Sequence, residues 1–131
     1  GLRPSQTQNF MRDAFVMDFE DDTNTQSSSN TTITEGSLVL SGGANTGTWT
    51  SKDQLLNAAI TTVEVRAEGQ DLDASTFQVS VDKGNNYQTV TPGTPTSIAA
   101  SANDTITARA SLLKDADNTT PKLENLAIMV K

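Results

Sequence analysis

The chain has 131 residues, 34% of them hydrophobic, and carries 16 acidic against 9 basic side chains for a net charge of −7. That length suits one domain around a single core, and the acidic balance with scattered basic residues excludes a phosphate-backbone partner, because like charges repel. There is no Cys and no His, which removes disulfides, thiol nucleophiles, imidazole bases and His/Cys zinc sites, and no apolar run reaches membrane-spanning length, so neither nucleic acid nor membrane is expected as a partner.

Thr, Ser and Asn make up about a third of the chain. Thr suits a half-buried pleated surface, whereas Asn and Ser suit turns. Residues 1–12 read as an extended arm, since Arg3-Pro4-Ser5-Gln6-Thr7-Gln8-Asn9 has no periodicity. Such an arm is either disordered or packed on a neighbouring subunit, with Leu2, Arg3, Pro4 and Phe10 as its assembly contacts. Residues 13–131 read as one domain. Asp13 to Phe19 alternates as a strand, with Phe15, Met17 and Phe19 on one side. Glu20 to Asn30 is a polar loop. Thr31–Thr34 and Ser37–Leu40 are short strands around a Glu35-Gly36 turn. Gly47 to Ser51 carries the only tryptophan, Trp49, on a strand, and Lys52 to Ala59 is the one helical candidate.

From Ile60 to Glu68 the alternation is clear: Val63, Val65 and Ala67 face one way, Glu64, Arg66 and Glu68 the other. Thr76 to Asp82 repeats it with Phe77, Val79 and Val81 inside. The turn Asp82-Lys83-Gly84-Asn85-Asn86 then leads into a partner strand, Tyr87 to Val90, which makes a hairpin. Pro92 and Pro95 mark a turn before a short strand at Thr96–Ala99. Asp104 to Leu112 alternates with Ile106, Ala108, Ala110 and Leu112 inward. Leu123 to Val130 closes the chain. Leu123 is out of phase with Leu126, Ile128 and Val130, which predicts a bulge or a bend near Glu124-Asn125. Short strands at turn-punctuated intervals, with no room for crossover helices, give an all-β, antiparallel, jelly-roll-like β-sandwich with an extended N-terminal arm.

The stretch Val79-Ser80-Val81-Asp82-Lys83-Gly84-Asn85-Asn86-Tyr87-Gln88-Thr89-Val90 is followed by Pro92-Gly93-Thr94, then Ile106 to Leu112, then Thr120 to Ile128. This order resembles jelly-roll β-sandwich domains of bacteriophage virion proteins, notably tail, fibre and head-decoration components. It covers residues 75–131, and 13–51 more loosely through Asp13-Ala14-Phe15 and Trp49-Thr50-Ser51. The sequence departs from the pattern at Lys83 and Tyr87, where a smaller residue and often Trp are expected. The resemblance implies a non-catalytic virion structural module, a capsid decoration (cement) or tail-associated protein on the extracellular particle. Its partners would be capsid or tail proteins and further copies of itself in a homo-oligomer, joined by multivalent contact.

Several residues carry sharper alternatives. Asp18, Glu20, Asp21 and Asp22 form the densest acidic run. They read as a solvated loop or, as the rival, as oxygen ligands for a structural Ca²⁺. Trp49, Asn85, Asn86 and Tyr87 are the candidate ligand contacts: aromatic faces stack on sugar rings while amides fix hydroxyls. The plainer reading puts Trp49 in the core and packs Tyr87 on its turn. These four support the alternative function, a carbohydrate-binding module for host-surface glycans. Arg66 and Arg109 lie on polar strand faces, with Glu64, Glu68 or Asp104 as expected cross-strand partners. No carboxylate pair sits in an apolar setting suited to glycoside hydrolysis.

Overall fold

An alternation of more and less buried side chains, broken at a few positions, shapes the long strands. The computed structural model describes residues 13–131, so the arm read over residues 1–12, with Leu2, Arg3, Pro4 and Phe10, lies outside the described residues. The strands in chain order are β1 (Asp13–Asp18), β2 (Thr25–Ser29), β3 (Thr31–Thr34), β4 (Ser37–Leu40), β5 (Thr46–Ser51), β6 (Gln54–Leu55), β7 (Ile60–Gln70), β8 (Thr76–Ser80), β9 (Gln88–Val90), β10 (Thr96–Ala100), β11 (Thr105–Leu113) and β12 (Lys122–Val130). They form two six-stranded sheets whose pairings are all antiparallel. The first runs β10-β7-β12-β4-β3, with β1 also pairing β12. The second runs β2-β5-β11-β8-β9, with β6 also pairing β11. The chain is an antiparallel, jelly-roll-like β-sandwich.

Each sheet turns one face inward. In the first, register aligns Phe15 with Ile128 and Val65, and Met17 with Leu126 and Ala67. In the second, one row runs Trp49, Ala110, Phe77, Val90. The small Ala110 between two large rings lets both sink into the space between the sheets, where they join a single buried cluster. Phe19, fully buried just beyond β1, meets the Trp49 ring edge to face at 5.1 Å. Thr31 in β3 donates to the carbonyl of Thr48 in β5 at 3.1 Å, which ties the two sheets at one edge.

Of the bulge or bend expected near Glu124-Asn125, the structure has a bulge. The β12–β7 register shifts between Leu123 and Asn125, so that Leu123 and Leu126, three apart, both face inward. The backbone comes so close here that a Cβ at Gly69 would lie 2.0 Å from the Lys122 carbonyl oxygen. At the β3–β4 turn, Glu35 and Gly36 have φ of 51° and 79°, the mirror-type two-residue turn that suits strand twist.

Two expectations need correction. Lys52 to Ala59 is no helix: it supplies β6, which continues the β5 edge along β11. Ser51 bridges the gap between those pairings by accepting from the Ala108 amide at 2.9 Å. Leu56 then plugs the core while its backbone pairs with Asp104 and Asn103. The polar loop read over Glu20 to Asn30 contains the edge strand β2, held by backbone pairing with β5 rather than by apolar burial.

Candidate functional site

Because Ala108, Ala110 and Leu112 of β11 are buried inward, Arg109 and Ser111 point to the outer face of the second sheet. Register places Thr50, Arg109, Gln78 and Thr89 in one row across that face, with Thr48, Ser111 and Thr76 in the next. The outer face is therefore a band of hydroxyls and one amide around a single guanidinium.

Arg109 is half-buried and held from two directions. Its Nε donates to Gln78 Oε1 at 2.7 Å, and the carbon of the guanidinium lies 3.7 Å from the centre of the Tyr87 ring. Gln78 is itself fixed, donating to Thr89 Oγ1 at 3.4 Å. The cross-strand carboxylates expected for Arg109 do not pair with it. Arg66 does form an ion pair with Glu64, at 3.1 Å, but along its own strand rather than across the sheet. The exposure of Arg66 makes that contact worth less than about 1 kcal/mol.

One side of the face is walled. Thr107 and Ser80 face each other in the row beyond Arg109 yet are only 1% and 2% exposed. Thr107 donates to Asp53 on the β5–β6 corner, and Ser80 donates to Asp82 at 2.6 Å on the β8–β9 turn. That turn is organised around Asp82, which also accepts from the Asn86 amide at 2.9 Å and from Asn86 Nδ2 at 2.7 Å. The Ser80, Asn86 side-chain and Asn86 backbone bonds stabilise the charged form, so the Asp82 carboxyl is lowered from 3.8 to about 2. The same order delivers Tyr87 onto Arg109.

The predicted ligand contacts divide. Trp49 and Tyr87 do not form a platform, because they lie on opposite faces of one sheet. Trp49 is 1% exposed and its Nε1 donates to Thr25 Oγ1 at 2.7 Å. The ring is a core element, and its placement as a ligand contact is corrected. Asn85 and Asn86 are exposed on the turn, but their amide nitrogens are taken up by Asp82. Tyr87 alone of the four reaches the outer face. Sequence reasoning missed the functional candidates Arg109 and Gln78. The available signal was that Arg109 is the sole charged residue in Thr105–Leu113.

The acidic run does not converge. Asp18 borders one open groove with Glu35, Glu68 and Glu124, Asp21 and Asp22 border another depression beside Thr25 and Ile33, and Glu20 lies between the two and lines both. The Thr23 hydroxyl, and then the Thr23 amide that donates to Asp21 at 2.9 Å, stabilise the charged carboxylate and lower its pKa. Among the described residues no three acidic side chains come together to hold a metal ion. Asp18, Glu20, Asp21 and Asp22 are strung along the turn that leaves β1, with Asp21 engaged in capping Thr23.

No protein-family model matches the sequence, and no curated protein is significantly similar to it. Solved structures do share its architecture. The C-terminal CBM6 of LamC, a marine laminarinase from Zobellia galactanivorans, superposes with a TM-score of 0.52 at 11% identity, covering 89% of this chain and 99% of that one. The low affinity xylan binding module CBM86 from the gut symbiont Roseburia intestinalis gives 0.51 at 16% identity, covering 91% and 96%. At such identities the likeness is one of fold, and it sets this chain among jelly-roll β-sandwiches of matching size.

Proposed function

We propose that the chain is a non-catalytic carbohydrate-binding module that takes glycans on the outer face of its second sheet. The observation that carries this reading is the Tyr87–Arg109–Gln78 unit, a preset group of donors and acceptors on a hydroxyl-lined face beside an aromatic ring. Sugars demand this mixture, because each ring presents both hydroxyls and C–H surface. Two solved domains of the same architecture and nearly the same extent are named as carbohydrate- or xylan-binding modules, which adds support at the level of fold. The virion role implied by the sequence resemblance rests on the sandwich pattern, and glycan-binding modules share that pattern.

The test is titration calorimetry against xylan- and laminarin-derived oligosaccharides and a wider glycan array. Tyr87→Ala removes a ring and frees Arg109, so glycan affinity is expected to fall about ten-fold, the equivalent of ~1.4 kcal/mol. The melting temperature should change little. An array without hits sinks the reading, as does a ligand whose affinity ignores both Tyr87→Ala and Gln78→Ala.

A further inference from the structure

Resting on that reading, we propose that the face selects acidic glycans, with Arg109 seating the carboxylate of a uronic-acid residue. A guanidinium has five N–H donors. In Arg109 only Nε has a protein acceptor among the described residues, Gln78 Oε1 at 2.7 Å. The four N–H groups on the two terminal nitrogens form a fork with no acceptor among the described residues. No described carboxylate forms an ion pair with it, although the chain carries 16 acidic side chains against 9 basic ones. The acids on the walled side are otherwise engaged: Asp53 takes the Thr107 hydroxyl, and Asp82 takes Ser80 and Asn86.

A half-buried cation without a counter-charge is costly unless something completes it. The planar fork matches a carboxylate, which it binds through two parallel bonds. Gln78 and Tyr87 already fix its plane, so little side-chain freedom is lost on binding. A neutral sugar would use the donors but leave the charge unanswered. A bare anion would leave unused the uncharged hydroxyls of Thr48, Thr50 and Ser111 in the adjoining positions. A sugar bearing a carboxylate satisfies both. The net charge of −7 weakens attraction at long range, but at physiological salt that repulsion is screened within ~8 Å and does not oppose a direct contact.

The experiment titrates the full chain with a glucuronic-acid-substituted xylo-oligosaccharide, with its methyl ester, and with free glucuronate. The acid form is expected to bind at least about ten-fold more tightly than the ester. That preference should shrink when NaCl is raised and vanish in Arg109→Gln, whose affinities for the acid and the ester are expected to converge. Arg109→Lys, which keeps the charge but not the fork, is expected to retain only part of it, and circular dichroism confirms that both variants fold. Equal affinity for acid and ester overturns the inference and leaves the glycan reading standing. Free glucuronate binding as tightly as the oligosaccharide also overturns it, since the face would then be a simple anion site. Binding of no glycan, acidic or neutral, removes both.

Discussion

At the scale of single residues, Asp82 shows how a turn aims a side chain several positions away. Its carboxylate gathers Ser80 and Asn86, and the backbone so ordered carries Tyr87 over Arg109. The depressed pKa has a stability consequence of definite sign. A carboxyl at about 2 in the folded chain, against 3.8 ordinarily, stabilises the fold above the higher value and loses that contribution as pH falls through the lower one. Asp82→Asn should therefore melt below the parent protein from about pH 5 upward, with the gap closing as pH drops toward about 2. Thermal melts across that window check it, and a gap independent of pH would show the charge to be irrelevant. The sequence showed this turn and its hairpin plainly. It gave no sign that Tyr87 would fold back over β11, because that contact joins residues 22 positions apart and depends on register.

At the scale of elements, the β12–β7 bulge is the clearest case of pattern foretelling geometry. Leu123 and Leu126 cannot both face inward on a regular strand, so one extra residue must be absorbed, and it is. What the pattern left out was the partner's contribution. Gly69 is required because the Lys122 carbonyl occupies the space of a side chain. Gly69→Ala should cost about 2 kcal/mol or more and lower the melting temperature by at least about 5 °C. Differential scanning calorimetry measures this, and an unchanged transition would mean the bulge can relax without loss. The opposite case is β2. Thr25–Ser29 contains no apolar residue, so burial periodicity was silent there, and the strand exists because β5 offers an open edge and Trp49 reaches Thr25. Lys52 to Ala59 was misread for a similar reason: its brief leucine pair imitates a helix face, but β11 has an edge to be covered and Leu56 alone is needed inside.

At the scale of the whole molecule, one core between two sheets unites residues from every part of the described chain, and Trp49 lies within it. As the only tryptophan it reports on that core directly. Its emission is expected to be blue-shifted and shielded from iodide in the native state, to shift red in one step on denaturation, and to stay unmoved when glycan saturates the outer face. A ligand-dependent shift would return Trp49 to the binding surface. Truncation by Trp49→Ala should cost about 3–5 kcal/mol, a large part of the stability of a domain this size.

The sequence by itself determined the class of fold, the inward face of nearly every long strand, the main hairpin and the bulge, because side-chain burial follows a period of two whatever the strands pair with. Tertiary structure alone decided which polar residues share a face. Trp49 and Tyr87 looked alike as aromatic candidates, and Arg109 looked like one more surface charge. Sheet order and register put the tryptophan inside, set the tyrosine against the arginine, and left that guanidinium without a carboxylate. Such neighbours come from distant segments, and a one-dimensional pattern does not record which strands will lie side by side.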